Sequence, residues 1–194
     1  MPLFRSRLAT QAADAATAPF EAAALEEAPA AVVPEDEAGF ADLVRRHQGM
    51  VYGVAWHFLR NAAEAEELSQ EVFLALYHHR AKIVSAEHLA AWLRQVASRK
   101  CLDRRRRPAM QELPQELTAP DSGSADPWIS QKLQNLVAEL APHPRLVIIL
   151  RYQQEMTPEE ITRATGFPLA TVKSHLRRSL ARLRQQWNEA GAPV

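Results

Sequence analysis

The 194-residue sequence lacks the features that mark secreted, membrane and disulfide-stabilised proteins. Its single cysteine, Cys101, cannot form a disulfide within the chain, which favours a reducing compartment. No segment approaches the ~20 consecutive apolar residues that span a bilayer. The N-terminal residues, MPLFRSRLATQAADAATAPF, lack the compact apolar core of a secretion signal. We therefore expect a cytoplasmic protein without membrane insertion.

The sequence also lacks the short motifs of common enzyme chemistry. It has no Gly-rich phosphate loop, no His-Glu-x-x-His and no Cys-x-x-Cys. The adjacent His78 and His79 would diverge by about 100° on a helix, which suits a shared metal poorly. The acidic cluster from Glu64 to Glu71 has no second cluster to complete a metal or acid–base site, so a solvated or protein-binding face is the simpler interpretation. We expect no enzyme activity, no catalytic residue, no cofactor and no metal.

The formal net charge is zero because opposite charges are segregated along the chain. Residues 1–39 carry 2 basic and 7 acidic side chains, and residues 108–127 carry no basic and 4 acidic ones. Residues 40–107 carry 12 basic and 7 acidic side chains, and residues 128–194 carry 9 and 5. Two basic segments that alternate with acidic ones predict two modules that face a polyanion.

The apolar pattern is helical, and no segment shows the alternation of a strand. Residues 1–36, rich in Ala, Glu and Pro, predict a disordered acidic tail. Helical domains are predicted over 37–107 and 127–188, with a flexible Pro-containing linker at 108–126. The predicted fold is all-α: two small helical domains joined by a flexible linker. The 19 linker residues extend ~60 Å at most, so the domains could contact sites one to two DNA turns apart.

The segment from Thr157 to Arg178 carries the strongest local signal. Thr157, Pro158 and Glu160 predict a capped short helix with a capping box, and Gly166 is suited to end it. The apolar face of a second helix is predicted to contain Val172, Leu176, Leu180 and Leu183. Its polar and basic faces carry Thr171, Lys173, Ser174, His175, Arg177 and Arg178. The pattern is that of a DNA-binding helix-turn-helix, although an ordinary helical hairpin with solvated charges shares it.

Two predicted helices of the first domain differ in charge. The helix capped by Asn61 presents acidic and amide side chains, and the helix that begins near Glu87 becomes basic from Arg94 onward. As solvated groups at the end of a helix, the arginines at 104–107 would interact favourably with the helix dipole. Alternatively, they would neutralise several phosphates of a nucleic acid. The helix-turn-helix in the same chain favours the second interpretation.

Three motifs together resemble the bacterial sigma factors of RNA polymerase, specifically the extracytoplasmic-function group that keeps only the second and fourth sigma regions. Residues 65–73, AEELSQEVF, resemble the family's acidic-Gln helix before an aromatic. Residues 92–100, WLRQVASRK, with Asp103 and the following arginines, resemble its Trp-Leu…Ile-Ala…Asp…Arg helix. The helix-turn-helix through Thr171-Val172-Lys173-Ser174 resembles its C-terminal DNA reader. The resemblance covers about residues 38–107 and 128–187.

The resemblance implies a sigma factor that directs RNA polymerase core to specific promoters and assists their opening. The acidic helix would dock on the β′ clamp helices, and the β subunit and promoter DNA are further implied partners. The core-binding residues would be Glu66, Glu67, Gln70, Glu71 and Phe73. The residues on the minus-ten side would be Arg94, Ser98, Arg99, Lys100, Arg104 and Arg105. The polar and basic residues of the helix-turn-helix would read the minus-thirty-five element.

The resemblance leaves a further partner, two departures from the family pattern and an alternative function to consider. An anti-sigma factor is a further candidate partner. Arg99 stands where the family commonly has asparagine, and Glu67 where aspartate is usual. The alternative function is a stand-alone helix-turn-helix transcriptional regulator, with the first domain as a sensor or dimerisation domain.

Overall fold

The computed structural model describes residues 32–34, 36–106 and 127–189, so the predicted linker and nearly all of the predicted tail lie outside it. Within these ranges every regular element is helical, which confirms the all-α prediction. The α-helices are α1 (Glu37–Leu59), α2 (Ala62–His79), α3 (Ala86–Arg106), α4 (Pro127–Ala138), α5 (Pro142–Tyr152), α6 (Pro158–Thr165) and α7 (Leu169–Glu189). A 3₁₀ turn, Arg80–Lys82, follows α2.

Helices α1, α2 and α3 pack on one another, and side chains fix where each begins. The Asp36 carboxylate accepts from the Gly39 N–H at the start of α1. The Asn61 side chain accepts from the Glu64 N–H at the start of α2, as predicted. The Ser85 hydroxyl accepts from the His88 N–H at the start of α3. Because each cap satisfies an N–H that a helix leaves free, the three boundaries are encoded locally.

The predicted helix-turn-helix is confirmed as α6 and α7. Thr157 and Glu160 form the expected capping box. Gly166 ends α6 with a φ of +76°, a conformation that glycine adopts without a side-chain clash. The predicted apolar face of α7 is also confirmed: Val172 and Leu183 are buried, and Leu176 and Leu180 pack against buried residues.

The two predicted helical groups share one hydrophobic core in this structure. Helix α3 contacts α5 and α6, and α1 contacts α4 and α5. The buried core accordingly joins Phe58, Leu68 and Leu93 of the first group to Leu146 and Ile161 of the second. Tyr152, by contrast, is 55% exposed. It is the last residue of α5, where the chain leaves the core for the turn before α6.

A buried arginine connects the two helical groups. Arg145 of α5 is 5% exposed and donates to the Phe58 carbonyl oxygen at the end of α1, at 3.0 Å. It also donates to the carbonyl oxygens of Leu140, at 3.0 Å, and Ala138. Burial, followed by the charges of Arg105 and Arg60, lowers the pKa of Arg145 to about 10, so the guanidinium stays cationic at neutral pH.

We expect Arg145→Met to lower the free energy of unfolding by about 3 kcal/mol, because it leaves buried carbonyl oxygens without their donor. Urea denaturation measures the change. Arg184→Met is the matched control, because Arg184 is exposed on α7 and its loss should change stability little. Equal midpoints for the two variants would contradict a structural role for Arg145.

Candidate protein and nucleic-acid interfaces

The predicted core-binding residues lie along α2 beside an open groove. Glu66, Glu67 and Gln70 are exposed, Glu71 is half-buried, and Phe73 is 8% exposed. The groove runs between α1 and α2 and encloses about 780 Å³. Its lining comprises Phe40, Val44, Gln48, Gly49, Tyr52, Glu66, Ser69, Gln70, Phe73, Leu74 and Tyr77. The acidic face of α2 therefore borders an apolar groove.

The apolar part of this surface was not predicted from the sequence. Leu74 is 59% exposed and Tyr77 is 42% exposed. The Tyr77 ring meets the Phe40 ring edge-on, with centroids 5.4 Å apart. Leu74 and Tyr77 form an apolar pair at i and i+3 that lies off the stripe of Leu68, Val72 and Leu76. This pair is the signal in the sequence for an apolar surface here. Exposed apolar groups that cluster in this way are typical of protein-binding surfaces.

Two residues predicted for DNA are ion-paired with two residues predicted for the polymerase. The Lys100 Nζ lies 2.6 Å from the Glu71 Oε2. The Arg104 guanidinium lies 2.8 Å from Glu67 Oε2 and 2.7 Å from Glu71 Oε1. It also donates to the Glu64 carbonyl oxygen at 3.3 Å. These contacts join α2 to the basic half of α3 in what we call the α2–α3 ion cluster: Glu67, Glu71, Lys100 and Arg104.

The ion cluster keeps Glu71 ionised. Burial raises the pKa of Glu71, but the hydrogen bonds and charges of Lys100 and Arg104 more than offset this effect. The net result is a pKa below the ordinary value for glutamate. The carboxylate is thus an anion at neutral pH, and its charge is directed at α3.

The other minus-ten candidates lie in three different environments. Arg105 is exposed, and Arg99 is half-buried. Ser98 is fully buried, and neither its hydroxyl oxygen nor the Arg94 Nε has a hydrogen-bond partner within the described residues. Arg94 and Ser98 share one face of α3. Hydrogen bonds from Thr157 lower the pKa of Glu160 in α6, and the charge of Arg94 lowers it further. Arg94 therefore lies near α6, and α3 and α6 are in contact.

The six minus-thirty-five candidates lie in the first half of α7 with graded exposure. Lys173, Arg177 and Arg178 are exposed, and Thr171, Ser174 and His175 are half-buried. Lys173 lies 3.8 Å from a Glu159 carboxylate oxygen, and both side chains are more than half exposed. Burial, then the charges of His143 and Arg178, lowers the pKa of His175, so this ring is less cationic than a free histidine. Lys173, Arg177 and Arg178 thus supply most of the positive charge among these six residues.

The described residues assemble no candidate metal centre. No group of three or more His, Cys, Asp or Glu there could hold a metal ion. Cys101 is buried, and burial raises the pKa of its thiol to about 12 despite the opposing charge of Arg104. It is therefore a protonated core residue rather than a nucleophile. None of the helices described is both long and apolar enough to cross a membrane.

Family models match both helical groups. The model for sigma-70 region 2 matches residues 43–109, and the model for sigma-70 region 4 matches residues 130–183. The first match contains the acidic face of α2 and the basic α3, and the second contains the helix-turn-helix. The class is therefore that of sigma-70 proteins with regions 2 and 4.

Similar proteins identify the group within this class. The RNA polymerase sigma-E factor of Streptomyces coelicolor is 32% identical over 152 residues, which cover 76% of this chain and 85% of the relative. The ECF sigma factor SigW of Bacillus subtilis is 24% identical over 168 residues, which cover 78% and 90%. The chain belongs to the extracytoplasmic-function sigma factors of RNA polymerase, and so it is a transcription initiation factor that directs core polymerase to promoters.

Solved structures share the fold. The sigma factor RpoE from Bartonella quintana, solved with the anti-sigma factor NepR, aligns with a TM-score of 0.64 at 18% identity. The alignment covers 77% of this chain and 96% of that one. CnrH, solved with the cytosolic domain of CnrY, aligns with a TM-score of 0.60 at 19% identity, covering 81% and 92%.

Proposed function

We propose that three surfaces divide the work of this sigma factor. The acidic face of α2 and the neighbouring groove bind core polymerase, α3 contacts the minus-ten element, and α7 reads the minus-thirty-five element. The observation that carries the proposal is the exposed acidic face of α2 at the edge of an apolar groove. Such a surface fits a protein partner with basic and apolar side chains, since apolar contacts supply affinity and charges set the orientation.

The groove and the acidic side chains would act together on the β′ clamp helices. Leu74 and Tyr77 offer exposed apolar area, while Glu66 and Gln70 line the same groove with polar groups. An apolar helix face laid in such a groove is a common mode of recognition. The β subunit is a second proposed contact in the polymerase. Because these partners and DNA are cytoplasmic, we propose that the protein acts in the cytoplasm.

Helix α7 has the features that the minus-thirty-five role requires. The N-terminal residues of a recognition helix contact base edges, and the basic residues beside them contact phosphates. Thr171, Lys173 and Ser174 occupy the first turns of α7, while Arg177 and Arg178 follow as exposed cations.

Contact of the whole basic face of α3 with DNA requires a rearrangement. Arg105 is exposed, but Ser98 is fully buried, and α6 is one of the helices that pack on α3. We propose that α6 separates from α3 when promoter DNA binds. The predicted domains, 37–107 and 127–188, and the linker between them would permit this movement. An anti-sigma factor is a further proposed partner, because the similar RpoE was solved with one.

We expect Leu74→Glu to abolish co-purification with core polymerase, because it places a charge on the apolar rim of the groove. The side chain is 59% exposed, so folding should be preserved. Val84→Glu is the matched control, because Val84 is 55% exposed outside the groove and its variant should still bind. Normal polymerase binding by Leu74→Glu would remove the groove from the interface.

We expect Arg177→Ala to weaken binding to a minus-thirty-five duplex. If Arg177 contacts a phosphate, the slope of log K against log salt should fall by about one. If it contacts a base edge, the loss should depend on sequence and amount to about 1–3 kcal/mol. Arg184→Ala, roughly 10 Å further along the same helix, is the control. Anisotropy titrations at several salt concentrations measure both, and an affinity and slope equal to those of the control would exclude Arg177.

A further inference from the structure

The α2–α3 ion cluster links the two binding activities, because its anions and cations belong to different proposed interfaces. Glu67 and Glu71 lie on the polymerase-binding face, and Lys100 and Arg104 lie on the DNA-binding helix. Each carboxylate neutralises a cation that a DNA phosphate would need. The free chain therefore presents less positive charge on α3 than its sequence suggests.

The four side chains of the α2–α3 ion cluster differ in their exposure to solvent. The Glu67 side chain is 66% exposed, those of Glu71 and Lys100 are 39% and 32% exposed, and that of Arg104 is only 14% exposed. The two carboxylates are thus more exposed than the guanidinium that they bind. A partner that approaches α2 reaches the anions first, while a phosphate that approaches Arg104 must displace both of them.

Geometry makes this competition direct. Arg104 uses NH1 for Glu67 and NH2 for Glu71, which are the two terminal nitrogens that a bidentate phosphate contact needs. Lys100 directs its ammonium at the second oxygen of Glu71. Two carboxylates beside the guanidinium also repel a phosphate that comes close.

We infer that the α2–α3 ion cluster couples polymerase binding to DNA binding: when basic groups of the polymerase bind Glu67 and Glu71, Lys100 and Arg104 become available to promoter phosphates. The inference rests on the proposed surfaces for polymerase and DNA. Coupling between two sites is reciprocal, so promoter DNA that draws Lys100 and Arg104 away also makes the acidic face a better site for polymerase.

The first test measures DNA binding by the free full-length chain, without polymerase. We expect Glu71→Gln to bind a duplex oligonucleotide roughly fivefold more tightly than the unaltered chain, with a salt slope steeper by about one to two, because it frees Lys100 and one arm of Arg104. Glu37→Gln is the matched control, since it makes the same change in net charge at an exposed position on α1. Equal affinities for the two variants would overturn the inference.

A double-mutant cycle identifies the cation that is released. Lys100→Met should change the free chain's DNA affinity little, because Glu71 already neutralises Lys100. In the Glu71→Gln background, the same substitution should remove much of the gain. An equal loss in both backgrounds would show that Lys100 acts independently of Glu71 and would contradict the inference.

The second test follows the release itself. Lys100 is acetylated with a water-soluble reagent and quantified by mass spectrometry, with Lys132 on α4 as the internal reference. We expect core polymerase to accelerate acetylation of Lys100 several-fold and promoter DNA to reverse the effect. An unchanged or slower rate with polymerase overturns the inference. If the proposed polymerase-binding surface is wrong, the Leu74→Glu variant will still bind polymerase. This result differs from an unchanged Lys100 acetylation rate, so failure of the proposed function and failure of the coupling are distinguishable.

Discussion

The position of the C-terminal helices depends on one buried cation, the guanidinium of Arg145. It donates to the last turn of α1 through Phe58, and to the end of α4 and the turn after it through Ala138 and Leu140. All three acceptors are backbone carbonyl oxygens at helix ends, which a helix cannot satisfy internally. The single side chain therefore completes two helices and joins the helical groups. No carboxylate is needed, since the carbonyl dipoles at helix C-termini carry partial negative charge.

The boundary between the two helical groups also includes the contact of α3 with α6, which is less well hydrogen-bonded. Between α3 and α6, the described structure leaves the Arg94 Nε, the Ser98 hydroxyl and the Thr162 hydroxyl buried without hydrogen-bond partners. Buried polar groups of this kind reduce the stability of the contact that buries them. The Arg145 Nε also lacks a partner within the described residues, but the terminal nitrogens of Arg145 donate three hydrogen bonds, so its part of the boundary is better satisfied than the other. Such a boundary can hold the free chain closed and still separate when DNA offers phosphates and bases to the same side chains.

The sequence predicted what local rules encode. The capping box at Thr157, the left-handed turn at Gly166 and the Asn61 cap were all correct because each depends on residues within one helical turn. The burial of Ser98, the exposure of Tyr152 and the ion pairs of Arg104 were not predicted. These depend on residues more than thirty positions apart or on the way that the two groups pack, and periodicity within one helix carries no information about either. The groove was missed for the same reason, because α1 and α2 each supply only half of its lining.

The basic segment at residues 40–107 also carries acidic side chains, and several of these are paired with its cations. Within the described part, the shortest ion pairs between different helices join the two surfaces that we propose for polymerase and for DNA. A sigma factor that bound DNA tightly alone would occupy promoters without polymerase. We infer that pairing these cations with carboxylates that also serve the proposed polymerase surface weakens such unproductive binding. In this inference, the anions that suppress DNA binding are removed by the partner whose arrival makes DNA binding useful.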